Sequence, residues 1–145
     1  MALRTDLSLA ALEERAQIGL PGLLGLQVVR MSESEVVMRV QVQPKMLAPN
    51  GYLHAASVIA LADTACGFAC IAHLPPGAVN FTTLELKTNF LGTVTEGTID
   101  AVARSAHLGR TTQVWDATVT AVESGKTLAL FRCTQMVLWP KPGAS

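Results

Sequence analysis

A long apolar stretch, residues 55–73, limits the possible folds of this chain more than any other part of it. It reads AASVIALADTACGFACIAH, and Asp63 near its middle is its one charged side chain. A helix that is apolar on every side is buried, either in a protein core or in a membrane. The stretch is short of a continuous membrane span and Asp63 interrupts it, so we interpret it as a buried core helix.

Asp63 lies in this helix without a partner of opposite charge. Helical spacing places small and apolar residues on its side of the helix: Ala56, Ile59, Ala60, Cys66, Gly67 and Cys70. Burying a carboxylate without partners is costly or raises its pKa. The pattern therefore predicts an acid that is either hydrogen-bonded for structure or takes part in chemistry.

Composition narrows the class of protein. The 145 residues suffice for one domain with a proper core, and 50% of them are apolar while 15% are charged. The net charge is zero and the sequence has no basic run, so nucleic acid is not an expected partner. No run of residues is apolar enough for a membrane-spanning helix or a signal peptide. Cys66, Cys70 and Cys133 do not form a disulfide framework, so we expect a reducing cytoplasm. The low charge fraction indicates surface covered by other subunits.

The remaining patterns predict two kinds of element around the central helix. Residues 7–18 have helical spacing with Thr5 or Asp6 as N-cap, and glycines and a proline from Gly19 onward are expected to end that helix. Strands are expected at residues 26–31, 35–43, 79–91, 97–107, 111–123 and 126–138. Short connections predict antiparallel neighbours. One sheet of about six strands needs one covering layer, so we predict an α+β fold with the sheet wrapped around the central helix.

Three segments resemble a known family. The residues LAPNGYLHAASVIALADTACG are similar to the signature of the PaaI-type acyl-CoA thioesterases, which have the hotdog fold. That signature consists of a polar residue, a Gly, the sequence His-Gly-Gly and an acid nine residues after the His. In this chain His54 and Asp63 keep the spacing between the His and the acid. FTTLELKTNFLGTVTEG and HLGRTTQVWDATV resemble the family's central strands. The resemblance covers roughly residues 26–138. We expect one hotdog domain over residues 1–145, with a helix and loop at 1–25, the hotdog core at 26–138 and a tail at 139–145.

The resemblance also implies an activity. The activity is the hydrolysis of an acyl-CoA thioester without a cofactor, in a homodimer or a dimer of dimers. Asp63 would act as general base or nucleophile, and the backbone N–H of Ala55 would polarise the thioester carbonyl. Spacing adds an independent argument, because His54 and Asp63 lie about 13 Å apart along a helix. Two antiparallel helices across a two-fold axis bring Asp63 of one chain near the helix start of the other. We therefore expect a site between subunits.

The helix start departs from the family pattern in two ways. Ala55 and Ala56 replace the two glycines, which leaves the N–H of residue 55 in place because Ala still donates. The Asn or Gln that the family carries six residues before the His falls on Ala48, and Asn50 is the nearby candidate to replace it. His54 is expected to order the loop rather than to act as a base.

The supporting residues are less well marked. Some relatives carry a Thr one helical turn after the acid, and Gly67 stands there in this chain. Thr83, or its neighbour Thr82, is the candidate to orient water or the carboxylate. Four cations in the strand region are candidate contacts to the CoA phosphates, with Arg110 preferred: Arg110, Lys87, Arg104 and Arg132.

Three other interpretations stay open. A hotdog dimer could bind acyl-CoA without hydrolysing it, and the missing Asn or Gln favours this. A hotdog hydratase carries a His five residues after the Asp, where Phe68 stands here. Cys66, Cys70 and His73 share one helical stripe, but a zinc site lacks a fourth ligand, and we expect no metal.

Overall fold

The computed structural model describes residues 2–141. Its helices are α1 Leu9–Ala16, α2 Gly19–Leu24 and α3 Ala55–Ala72, with a short 3-10 turn at Pro44–Met46. Its strands are β1 Gln27–Met31, β2 Val36–Gln41, β3 Asn80–Phe90, β4 Thr98–Leu108, β5 Thr112–Ala121 and β6 Thr127–Leu138. All six expected strands are therefore present, with ends shifted by at most two residues.

The six strands form one antiparallel sheet in the order β1-β2-β4-β5-β6-β3. Strand β5 shows why one face must be covered, since its residues alternate strictly between buried and half-buried positions. The covering layer is α3, which packs against β2, β3, β4, β5 and β6. This arrangement confirms the predicted α+β architecture of one long helix on a six-stranded sheet.

Helix α3 is apolar enough to raise the question of a membrane. By length and composition alone its 18 residues could cross one, so the expectation that no run of the sequence could do so is wrong. The helix meets this criterion because a helix enclosed by a sheet needs apolar residues on most of its sides. Ten of its 18 residues are buried within the fold.

The N-terminal region differs from the prediction. Helix α1 begins after Ser8, whose Oγ accepts a hydrogen bond from the Ala11 N–H at 3.1 Å, whereas Asp6 pairs with Arg4. The glycine and proline residues do not simply end it, because they form α2. Pro21 lies in the first turn of α2, where its missing N–H breaks no hydrogen bond.

Strand β3 also departs from the expected neighbour pairing. The hairpins β1–β2, β4–β5 and β5–β6 follow the rule of short connections, but β3 pairs with β6 at the sheet edge and residues 91–97 lead across to β4. The burial patterns give the physical reason. Ile99, Ala101 and Ala103 of β4 are fully buried and need a central position, whereas β3 has no fully buried residue.

The predicted division into parts 1–25, 26–138 and 139–145 stays a prediction. Residues 142–145 of the expected tail lie outside the described residues. Trp139, which was assigned to the tail, donates from its Nε1 to the Arg110 carbonyl oxygen at 3.2 Å. The end of β6 is therefore attached to the β4–β5 hairpin.

Buried hydrogen bonds fix the far end of α3 to the sheet. Gln113 of β5 donates from Nε2 to the carbonyl oxygen of His73, the C-cap of α3, at 2.9 Å. Its Oε1 accepts from Trp115 Nε1 at 3.0 Å. All three side chains are at most 1% exposed. Buried polar groups that satisfy one another in this way hold a helix in one register on its sheet.

We predict that Gln113→Leu destabilises the fold by about 1–3 kcal/mol, because it leaves a buried carbonyl and a buried indole N–H without partners. The measurement is the free energy of unfolding in urea. Gln27→Leu, at an exposed position of β1, is the matched control and should change that free energy by about 0.5 kcal/mol or less. Equal effects of the two substitutions would contradict the anchoring role of Gln113.

Candidate active site

The start of α3 leaves one backbone donor free. A helix begins with four N–H groups that have no partner within the helix. The Ala56 N–H donates to His54 Nδ1 at 2.9 Å, and the N–H groups of Ser57 and Val58 donate to the His54 carbonyl oxygen at 2.9 and 3.4 Å. The Ala55 N–H has no hydrogen-bond partner within residues 2–141. His54 is thus the N-cap, and its capping leaves Ala55 as the available donor.

This donor lies at a surface cleft of about 450 Å³. The cleft brings together Asn50, His54 and Ala55, three of the predicted site residues, and its other side is formed in part by Tyr52 and Phe90. The Asn50 Oδ1 accepts from the Tyr52 N–H at 3.2 Å, so the side chain serves its own turn. A catalytic role for Asn50 stays a prediction.

Asp63 lies two turns further along α3 and is half-buried. Its Oδ1 is buried and has no hydrogen-bond partner within the described part of the chain. Burial raises the pKa of the carboxyl group, and no cation among residues 2–141 counteracts the shift. Within the described residues the acid therefore lies without a counter-charge, as the sequence predicted, and its ionised form is disfavoured.

Asp63 and Ala55 cannot serve one site within a single chain. The helix between them is continuous, so the eight residues that separate them span about 12 Å. Both lie on the part of α3 that the rest of the fold leaves open: Ala55 is exposed and Asp63 is half-buried. A single chain therefore does not bring these two groups together at one reacting atom.

Thr83 is bound to the sheet rather than to the acid. Its Oγ1 donates to Gln135 Oε1 at 2.9 Å, and Gln135 Nε2 donates in turn to Cys133 Sγ at 3.3 Å. The hydroxyl proton of Thr83 is therefore already used in a hydrogen bond to Gln135 of β6. Its oxygen can still accept a hydrogen bond, and the proposed role in orienting water stays a prediction.

The thiols of α3 are unsuited to nucleophilic chemistry. A hydrogen bond with Cys133, together with burial, raises the pKa of the Cys66 thiol well above its usual value, and burial raises that of Cys70 to about 12. His73 has Nδ1 at 2.8 Å from the Ala69 carbonyl oxygen and Nε2 at 3.1 Å from that of Glu33. Since each ring nitrogen lies against a backbone carbonyl oxygen, the buried His73 ring has no nitrogen directed at the zinc site considered above.

The predicted CoA contacts do not gather at the cleft. Arg110, at the tip of the β4–β5 hairpin, stacks its guanidinium on the Trp139 ring, 4.9 Å from the centroid. Arg104 pairs with Glu35, and Arg132 pairs with Asp116. Arg110 is exposed and has no carboxylate partner among residues 2–141, whereas Arg104 and Arg132 each have one.

An apolar surface lies along strand β3, and its Phe90 lines the cleft at the start of α3. Leu84, Phe90 and Leu91, on β3 and just after it, are 56%, 47% and 58% exposed. Along its outer edge β3 pairs with no strand of the described chain, although it is 11 residues long. Thr88 of β3 adds a buried Oγ1 without a partner within residues 2–141. Long, apolar edge strands normally have a covering partner.

Sequence reasoning missed one residue near the acid. A Cβ atom built on Gly67 would lie 2.9 Å from Cζ of Phe81, so the Phe81 ring fills the space beside Gly67. The alternation of β3 could have shown on which face Phe81 lies. It could not have shown that this face meets α3 one turn after Asp63.

Comparisons with known proteins agree on the family. Residues 50–128 match the model of the Thioesterase superfamily. The chain is 32% identical over 117 residues to the 1,4-dihydroxy-2-naphthoyl-CoA hydrolase of Listeria monocytogenes, covering 81% of this chain and 94% of that one. It is 31% identical over 110 residues to the acyl-coenzyme A thioesterase PaaI of Escherichia coli, covering 75% of each.

Solved structures agree on the fold. A thioesterase of Haemophilus influenzae superposes with a TM-score of 0.90 at 25% identity over the full length of both chains. A mutant thioesterase of Pseudomonas aeruginosa superposes with a TM-score of 0.88 at 28% identity, covering 95% of this chain and 99% of that one. The predicted hotdog fold and the predicted class of activity, thioester hydrolysis, are thus confirmed, and the chain belongs to the thioesterase superfamily.

Proposed function

We propose that this protein hydrolyses an acyl-CoA thioester to the free acid and CoA in a site formed by two copies of the chain. The observation that carries the proposal is the buried Oδ1 of Asp63, which lacks a partner within residues 2–141. In a member of this superfamily, an unpartnered acid on the open face of the central helix is a candidate for the reacting group. Two of its relatives carry names that specify CoA thioesters.

The proposed reaction assigns one role to each end of the site. The thioester carbonyl oxygen accepts a hydrogen bond from the Ala55 N–H, and the positive end of the α3 dipole stabilises the negative charge that develops there. Ionised Asp63 removes a proton from water, or forms the new bond to the carbonyl carbon itself. The C–S bond then breaks, and CoA leaves as the thiolate and takes up a proton. Where Asp63 itself has formed the bond, water then hydrolyses the resulting anhydride and restores the Asp63 carboxylate. In both routes water supplies the second oxygen of the acid.

The apolar edge supports the part of the proposal that concerns two copies. An antiparallel second copy placed along β3 would cover Leu84, Leu86, Phe90 and Leu91. It would also bring its own helix start toward Asp63, across the distance that one chain cannot bridge. Arg110 is proposed as a contact to the CoA phosphates on the ground that its guanidinium is exposed. A cytoplasmic location stays a prediction.

The free N–H of Ala55 can be removed without breaking the helix. Ala55 is the first residue of α3, the position where Pro is best tolerated. His54 has φ −68° and ψ 139°, which is the extended conformation required of a residue before Pro. Ala55→Pro thus deletes the donor assigned to the carbonyl while it keeps the helix.

A second candidate function is binding of acyl-CoA without hydrolysis. Ala48 stands where relatives carry Asn or Gln, and the side-chain oxygen of Asn50 is engaged by the Tyr52 N–H. A site without this supporting amide would hold a thioester but position water poorly. Tight binding of acyl-CoA with no release of thiol in a chromogenic assay would select this function over the first.

We predict that Asp63→Asn lowers kcat/KM for acyl-CoA hydrolysis by roughly 10²–10⁴-fold, the usual contribution of a general base. The melting temperature at neutral pH should rise, because the buried position no longer carries a charge. Thiol release and thermal unfolding are the measurements. Asp116→Asn, on a side chain 45% exposed and paired with Arg132, should leave the rate of hydrolysis unchanged. Hydrolysis by Asp63→Asn at the parent rate would refute the assignment.

We also predict an acid limb in the pH profile. Because burial raises the pKa of Asp63, its ionised form is lost at a higher pH than for an exposed Asp, whose pKa is about 3.9. The kcat/KM for hydrolysis should therefore fall as pH decreases through a midpoint above that value. Circular dichroism over the same range would show that the protein stays folded. A rate that is constant down to pH 4 would contradict the role of Asp63.

A further inference from the structure

We propose that the ring of Phe81 closes the acyl pocket one helical turn beyond Asp63, and that Gly67 provides the space for this ring. The pocket would then accept short or flat acyl groups and exclude long straight chains. This inference rests on the function proposed above and adds to it the class of acyl group.

The contact between Gly67 and Phe81 fixes the position of the ring. Gly67 follows Asp63 by four residues, so it lies on the same face of α3, about 6 Å further along the axis. A Cβ atom at position 67 would lie 2.9 Å from Phe81 Cζ and 3.6 Å from Cε2. The tip of the ring therefore occupies the place where a side chain beside the acid would stand.

Exposure along this face of α3 changes just beyond the acid. Ala56 is exposed, Ala60 and Asp63 are half-buried, and Gly67 and Cys70 are buried. The face is open from the helix start as far as the acid and closed from the following turn onward. Phe81 is the side chain found against the helix at this transition.

The strand explains why the ring points toward the helix. Phe81 pairs with Val137, a buried residue of β6, so the two side chains share the inner face of the sheet. The ring is itself only partly buried and packs against the edge of the core. The ring is apolar and aromatic, so in the proposed pocket it would suit an aryl or short acyl group.

The test uses a double-mutant cycle at the two positions. The parent, Phe81→Ala, Gly67→Ala and the double variant are assayed for thiol release with straight-chain acyl-CoA esters from acetyl to lauroyl and with phenylacetyl-CoA. The quantity compared is the ratio of kcat/KM for lauroyl-CoA to that for butyryl-CoA. Phe81→Ala should raise this ratio about tenfold or more, in the range that one or more methylenes of pocket space produce.

The substitution at Gly67 tests whether Phe81 acts through the shape of the pocket or only through packing in the core. Gly67→Ala should change the ratio in the parent by displacing the ring, but should have no further effect in the Phe81→Ala background. Leu130→Ala removes an apolar side chain that is 48% exposed on the neighbouring strand β6, and should leave the ratio unchanged. Phe81→Leu, which keeps most of the volume, provides the same comparison if the Ala variant fails to fold, with a smaller rise in the ratio.

The outcomes are distinct. In one outcome the parent hydrolyses acyl-CoA, and the variants at position 81 melt at a lower temperature but keep the parent ratio. Phe81 would then contribute only to packing, and this inference alone would be overturned. A parent that releases no thiol from any ester would overturn the proposed function and this inference with it. A higher ratio in Phe81→Ala, coupled to Gly67, supports both.

Discussion

The buried, unpartnered Oδ1 of Asp63 is the constraint on which the rest of this structure depends. An acid in that position disfavours its own ionisation, and the fold offers it no cation within residues 2–141. The surrounding helix is built of small apolar residues, and ten of its 18 residues are buried against the sheet. The fold thus keeps a costly group in place rather than relieving it, which is typical of a site that needs the group for chemistry.

In the proposed site α3 also supplies the second group, the Ala55 N–H, but one chain holds this group too far from its own Asp63. Capping by His54 uses up the other early N–H groups and leaves that of Ala55 free. About 12 Å of continuous helix separates the two groups. Phe90, an exposed apolar residue of the edge strand β3, lines the same cleft as Ala55. A second, antiparallel chain would resolve both problems together, since it would cover the edge and bring a donor to the acid.

Sequence patterns predicted the secondary-structure elements of this fold better than they predicted which strands pair with each other. Alternation and the turn residues between segments located all six strands, and the apolar stretch located α3, because these signals are local. The position of β3 at the edge was missed, because short connections suggest pairing with β4 and only burial of β4 in three dimensions decides otherwise. In the site, the spacing of His54 and Asp63 was readable from the sequence. The contact of Phe81 with Gly67 was not, because it joins two elements whose relative placement no local pattern encodes.

The most direct test of the two-chain site is subunit complementation. Asp63→Asn and Ala55→Pro each remove one half of every site, and the two inactive proteins are unfolded together and refolded as a mixture. If each site joins Asp63 of one chain to Ala55 of the other, random mixing should restore about a quarter of the parent rate of thiol release, since half of the dimers are mixed and each has one intact site. A mixture that verifiably contains mixed dimers yet remains as inactive as its components would contradict a site shared between chains.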